Sequence, residues 1–197
     1  MVEFIEKATG ILFRPVEIFQ QLREESFGDA FVYYGVLLVM YAILSSLLSL
    51  VGFLLLLPWI TLGGMIPRFG LLPAVFLPFF LVATILAFII GLFVGGAILH
   101  LFVYLAGGRK EVEQTLKAVM YSSTPVFIFG WIPLVGVLAL VYALILEILA
   151  VRELQEISTG RAILAVIAPF LLIFFLIILA LALFLIVSTT SGPVRML

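Results

Sequence analysis

The sequence predicts an all-α integral membrane protein with five transmembrane helices and an N-terminal interfacial amphipathic helix. Three observations lead there. Of 197 residues, 65% are hydrophobic and 11% are charged, more apolar surface than a soluble fold has use for. The apolar residues gather in long uncharged blocks, and a bilayer core about 30 Å thick needs roughly 20 such residues at ~1.5 Å of rise each. Lys and Arg, finally, are shared unequally between the loops that join the blocks.

Residues 1–30 carry Glu3 and Glu6 before any long apolar run and no basic head followed by a cleavage site, so they are expected to be neither a signal peptide nor a span. From Pro15, which suits the first turn of a helix, Val16, Ile18, Phe19 and Leu22 share one side while Glu17, Gln20, Gln21, Arg23 and Glu24 share the other. This segment is expected to lie in the cytosolic interface, its apolar face in lipid or on the bundle. The acidic pair Glu24 and Glu25 is expected in solvent.

Spans are expected over about 31–57, 74–106, 112–130, 133–151 and 161–188, forming a transmembrane domain over 31–190 with an extracytosolic tail at 191–197. The third and fourth come from one block too long for a single crossing, divided where Gly130 and Pro133 mark a helix end and a helix start. The segment from 58 to 73, with Gly63, Gly64 and Pro67 and almost no charge, is expected to lie in the outer interface. Five crossings put Lys7, Arg14, Arg23, Arg109, Lys110, Lys117, Arg152 and Arg161 on the N-terminal side and only Arg68 and Arg195 on the other. The positive-inside rule then makes the N-terminus cytosolic and the C-terminus extracytosolic in a multi-pass protein of the cell membrane. Trp59 and Trp131 fall at the outer headgroup level, where indole rings are favoured.

Within the spans, Ala83, Ala87, Gly91 and Gly95 recur every four residues and form a smooth stripe on the second helix; Ser45, Ser49 and Gly52 give the first a similar face. Small residues let helices pack closely in lipid, within one subunit or between subunits. Pro125 removes a backbone donor and predicts a kink in the third span, where Ser122, Ser123 and Thr124 can satisfy the freed carbonyls. His100, Lys117 and Glu147 are the ionisable residues inside the expected spans, and each lies roughly 7–9 Å below the cytosolic boundary by helix rise. Intramembrane charges ordinarily pair, so Glu147 is expected to meet Lys117 or His100, with Tyr104 one turn from His100 completing a polar cluster. The alternative for Lys117 is to snorkel to the headgroups.

Catalysis has little support. There is no cysteine, a single histidine, no H-E-x-x-H and no G-x-S-x-G, so thiol chemistry, a usual zinc site and a serine elbow are all unprovided for. The glycines over 91–96 follow no strand and cannot cradle a phosphate. No catalytic residue, metal site or cofactor is expected. A net charge of −1 offers no field for a nucleic acid. The chain also lacks asparagine; scarcity of thermolabile Cys and Asn is a feature of thermophile proteins.

Over residues 107–162 the chain resembles the Yip1 family of membrane proteins. The likeness rests on a paired glycine, then Gln114, Thr115, Leu116, Lys117, Ala118, Val119, Met120, Tyr121 and the Ser122 to Pro125 run, then Ile132, Pro133, Leu134, Val135, Gly136, and later Ile157, Ser158, Thr159, Gly160, Arg161, Ala162. Arg14, Pro15, Val16, Glu17, Ile18, Phe19, Gln20, Gln21, Leu22 resembles the N-terminal segment of the family's prokaryotic members. The resemblance implies five spans, a cytosolic N-terminus and no known catalytic activity. Eukaryotic members act in vesicle traffic and bind small GTPases of the Rab class, but this chain lacks their long cytosolic region and D-L-Y-G-P type motif, so that role does not carry over. The expected function is a membrane scaffold or interaction protein whose partners are the lipid bilayer and other membrane proteins or further copies of itself. The alternative is a small channel or transporter using the polar cluster.

Overall fold

A computed structural model describes residues 3–61 and 72–190, with side chains omitted at 56–61, 72–74 and 188–190. The expectations for the outer segment around Gly63, for Trp59 and Arg68, and for the tail at 191–197 lie outside the described residues. Those described are all helical apart from short turns: α1 (Phe4–Phe13), α2 (Pro15–Leu22), α3 (Phe27–Thr61), α4 (Leu72–Leu105), α5 (Val112–Ser122), α6 (Thr124–Phe129), α7 (Val135–Leu154) and α8 (Thr159–Thr190). Four of them, α3, α4, α7 and α8, are long and apolar enough to cross a membrane by length and composition.

The segment expected as a third span is not one helix. It is divided into α5, of 11 residues, and α6, of six, with Ser123 between them at φ −70° and ψ −11°. The cause is Pro125. Its missing N–H leaves the Tyr121 carbonyl, four residues back, without a donor, and the Thr124 hydroxyl supplies one at 2.7 Å. Ser122 and Ser123 both donate to the Val119 carbonyl, at 3.1 and 2.7 Å. Hydroxyls bonding back to the preceding turn tend to bend a helix, so three in a row beside a proline make a break.

The second difference is at the N-terminus. Besides α2, residues 4–13 form a helix of their own, and both pack on the bundle. The apolar face of α2 is buried through Ile18, Phe19 and Leu22, chiefly on α7. On α1, Lys7, Gly10 and Ile11 are buried, Leu12 offers its carbonyl to the Tyr142 hydroxyl at 2.6 Å, and Phe4 stacks at a tilt on Tyr33 with ring centroids 5.1 Å apart.

Two turns fix how the helices return. After α4, Gly107 takes φ +99°, and the N–H groups of Gly107 and Gly108 bond the carbonyls of Tyr104 and Val103. Only glycine adopts that backbone without a steric penalty, so the chain can reverse sharply into α5. Between α6 and α7, Leu134 takes φ +67° as the residue before α7, an uncommon conformation for a branched side chain.

The core sits at one end of the bundle, where α1 and α2 cover the start of α3, the end of α4, α5, the end of α7 and the start of α8. Phe19, Leu38, Met120, Tyr121, Phe127, Leu146 and Leu154 are its large, fully buried members. Aromatic rings hold α3, α4 and α6 together at one level: Phe127 lies 5.0 Å from Tyr34, 5.6 Å from Tyr41 and 5.2 Å from Phe88 by centroids. Above that level α8 buries nothing, and its side chains from Phe170 to Val187 all stand exposed. These faces suit lipid, which is as apolar as they are.

Candidate functional site

The packed end is also the polar end, and its organising residue is not in solvent, where it is expected. Glu25, in the turn between α2 and α3, is nearly buried, its side chain 11% exposed. Its carboxylate accepts from the Lys7 ammonium and from the Tyr121 hydroxyl. The Lys7 side chain is equally enclosed and lies over the rings of Tyr33, at 5.2 Å, and Tyr121, at 5.8 Å. A charge withdrawn from water needs both an opposite charge and hydrogen bonds, and this pair has them.

Lys117 completes the same knot through main chain. It is wholly buried and does not snorkel to the surface. Its ammonium donates to the carbonyls of Glu25, at 2.6 Å, and Arg23, at 2.9 Å, pinning the α2–α3 turn to α5. Tyr33 and Thr124 extend the network inward: since the Thr124 hydroxyl spends its proton on the Tyr121 carbonyl, the Tyr33 hydroxyl is the donor in their 3.0 Å contact.

An outer ring of charge surrounds this knot. Arg23 bonds Glu156 at 2.8 Å and the Glu153 carbonyl at 2.8 Å; Lys110 reaches Glu156 at 3.0 Å; Gln20 donates to Glu153 at 3.1 Å. The Lys110 hydrogen bond, with the Arg23 charge behind it, holds the Glu156 carboxyl below the usual carboxylate range. Loops 106–111 and 155–158 are thereby tied to the N-terminal helices.

The other expected residues are placed as follows. His100 meets Thr115 through Nδ1 at 2.8 Å, and Gln155 donates to the same threonine oxygen at 2.9 Å. The Tyr104 ring carries the Arg109 guanidinium at 4.3 Å. Glu147 bonds neither Lys117 nor His100 among the described residues, and its half-buried carboxyl faces cavities between α4, α5, α7 and α8. His100, Lys117 and Glu147 thus turn to three different sets of neighbours. Of the stripe Ala83, Ala87, Gly91 and Gly95, the two glycines face open space and line one of these cavities. The glycine that admits a neighbour is Gly96, against which the Leu116 side chain of α5 packs.

The chemistry available is adhesive. In the knot and its outer ring the carboxylates of Glu25, Glu153 and Glu156 are matched by cations, and the described residues hold no cluster of His, Asp and Glu suited to a metal ion. The roles of Lys7 and Glu25 are not legible in the sequence, because their partners lie 18 and 96 residues away. The one available signal was the buried register of Lys7 with Gly10 and Ile11 on α1.

The family model of the Yip1 domain matches residues 9–186, most of the chain. Neither a curated protein nor a solved structure matches it.

Proposed function

Because this chain belongs to the Yip1 domain family of multi-pass membrane proteins, we propose that it is a non-enzymatic scaffold that presents a preformed face to other membrane proteins. The observation that carries the reading is the Lys7, Glu25, Lys117 and Tyr121 knot. It spends the buried charge of the bundle on fixing α1, α2 and two loops in one arrangement rather than on lining a path. The presented face is cytosolic and is built from α1 and α2 with loops 106–111 and 155–158, where Glu6, Arg14, Glu17 and Gln21 line a shallow polar groove. A preorganised surface loses less ordering entropy on binding than a mobile one.

The proposed topology has five crossings, α5 and α6 together forming the third, with the N-terminus cytosolic and the C-terminus extracytosolic, in keeping with the positive-inside bias. A second reading has a specific observation behind it. At 35, 34 and 32 residues, α3, α4 and α8 run for roughly 50 Å, whereas α5 and α6 together, at 11 and six, reach only about 26 Å. In that reading the hairpin of α5, α6 and α7 enters the bilayer and returns. The two agree on every other loop and differ only at the turn 130–134.

Two measurements test these readings. Purified protein in liposomes should give no ion or solute flux above empty vesicles; flux would sink the scaffold in favour of a channel or transporter. The chain has no native cysteine, so single cysteines report cleanly. Five crossings predict that a cysteine at Trp131 reacts with an impermeant maleimide from outside the cell, and that one placed within residues 62–71 reacts likewise. Protection at Trp131 alone would establish the returning hairpin.

A further inference from the structure

Glu147 is the one carboxyl inside the helical bundle that the polar knot does not use. It makes no hydrogen bond or ion pair among the described residues. Its carboxyl stands where two cavities meet, one of about 400 Å³ against α5, α6 and α7, the other of about 220 Å³ between α4 and α8. Val119, Glu147 and Phe170 line both, so the two form one continuous cleft. Its size lies within the range of small-molecule sites, ~300–1,000 Å³. The rim residues Leu140, Phe170 and Ile173 are each more than half exposed on the faces assigned to lipid, so the cleft opens sideways into the bilayer rather than into water.

The polar groups of the cleft share one character. Ser122 and Ser123 each have a single proton, and both are donated to the Val119 carbonyl. What the two hydroxyls turn to the cleft is therefore acceptor lone pairs, beside the acceptor oxygens of Glu147. No Lys or Arg lines either cavity. A ligand must bring donors and a positive charge, and it must be largely apolar to fill the remainder.

We propose that this cleft binds a single-tailed amphiphile with a primary ammonium head, the ammonium on Glu147 and the hydroxyls of Ser122 and Ser123, the tail along Leu140, Phe170 and Ile173. The ammonium supplies three donors to three acceptors and lets the carboxylate stay ionised out of water. A phospholipid with an ethanolamine head has the same ammonium but carries a phosphate beside it, for which the cleft holds no cation. Single-tailed amines are thereby selected over the bulk lipid. The site is independent of the scaffold reading, since it lies away from the polar face.

Covalent trapping tests it on the native protein. In detergent, dodecylamine is added with a hydrophobic carbodiimide, which activates a carboxyl so that an adjacent amine forms an amide. The expected result is a dodecylamide on the peptide bearing Glu147 that saturates with amine concentration and is competed by decylamine but not by dodecanol or dodecanoate. Reversible binding of dodecylamine should weaken about 10- to 100-fold in Glu147→Gln, the loss of one charge-assisted contact. Labelling confined to exposed carboxyls such as Glu17 would overturn the site. Equal competition by dodecanol would overturn the ammonium requirement. Coupling of Glu147 to phosphatidylethanolamine, or to a lysine of another transmembrane helix, in preference to dodecylamine would overturn the single-tailed ligand.

Discussion

The two ends of the bundle obey different rules. At the polar end, eight helical segments converge and the side chains of Phe19, Tyr121, Phe127 and Leu154 are removed from all contact with solvent or lipid. At the other end the side chains of α8 from Phe170 to Val187 all stand exposed, Phe174, Phe175 and Phe184 at 63, 61 and 68%. Composition does not distinguish them, because both are rich in Leu, Ile and Phe. What distinguishes them is polar groups. In lipid, apolar contact drives no association, since hydrocarbon on a neighbouring helix is little better than hydrocarbon in the bilayer. The polar end is held because Glu25, Lys7, Lys117, Tyr33 and Thr124 have no acceptable alternative partners, and the apolar packing follows where they lead.

If so, the largest effect belongs to the smallest chemical change at the centre of the knot. Glu25→Ala leaves the Lys7 ammonium buried without its counter-ion and should cost about 3–5 kcal/mol, the usual penalty for breaking one half of a buried pair. Thermal unfolding in micelles should show it as a large drop in midpoint and as loss of protease protection in α1. At the apolar end, Leu172→Ala should change stability by less than about 0.5 kcal/mol, because the side chain is in hydrocarbon before and after folding. Comparable losses from both variants would break the contrast and mean that the apolar end is packed in a way this conformation does not have.

The hydroxyls at the helix break sharpen it at intermediate size. Thr124→Val removes the donor to the Tyr121 carbonyl, which Pro125 has already deprived of its amide, and the acceptor of Tyr33. Two buried groups are left unpaired, and about 1–3 kcal/mol should be lost, most of it recovered in Thr124→Ser. Ser45 on α3 also bonds a carbonyl, that of Tyr41, at 2.7 Å. That carbonyl sits within a continuous helix and keeps its backbone donor, so Ser45→Ala should be close to neutral. Parallel melting curves of the three variants check the difference.

A gain is expected at the turn between α6 and α7. Leu134 is 85% exposed and held at φ +67°, so its side chain contributes little packing while its backbone pays a left-handed penalty. Leu134→Gly should stabilise by roughly 0.5–1 kcal/mol after allowing for the greater freedom of glycine in the unfolded chain. A destabilised Leu134→Gly protein would mean that the leucine has a partner, in lipid or in another protein, that fixes it there.

The sequence disclosed what lipid demands and little of what the bundle demands of itself. Spans expected over 31–57, 74–106, 133–151 and 161–188 correspond to helices Phe27–Thr61, Leu72–Leu105, Val135–Leu154 and Thr159–Thr190, because apolar run length is written residue by residue. The helix break beside Pro125 was legible for a similar reason, as proline acts on its own preceding turn. The polar partners were not. Helix rise places His100, Lys117 and Glu147 at one depth, but their partners depend on rotation about three helix axes, which depth does not fix. In the structure Lys117 turns toward the Arg23 and Glu25 carbonyls, His100 toward Thr115, and Glu147 toward the cleft. The helix over residues 4–13 escaped because its sequence is short and mixed, with Phe13 and Ile5 exposed and Lys7 buried, a pattern that only the neighbours explain.

The smallest expected effect separates the outer charge ring from the buried knot by pH and salt. Glu156 is 43% exposed on its side chain and bonded to Lys110 and Arg23, which hold its carboxyl below the usual range. A depressed carboxyl contributes its stabilisation in full above the pKa of the unfolded chain, near 4.3 for glutamate, and loses it as pH falls through the lower folded value. Hydrogen exchange in the loop 155–158 should therefore be steady from pH 7 to about 5 and quicken progressively below that, once corrected for intrinsic exchange. Glu156→Gln should show the faster exchange at every pH and lose the acid dependence. Added salt should mimic the same change at neutral pH, because exposed pairs are screened over about 10 Å at 0.1 M ionic strength. The Lys7–Glu25 pair, shielded by the rings of Tyr33 and Tyr121, should keep α1 protected under the same salt. If salt loosens α1 together with the loop, the knot is reached by solvent, and the two ends of the molecule differ by degree of packing rather than by the kind of interaction that holds them.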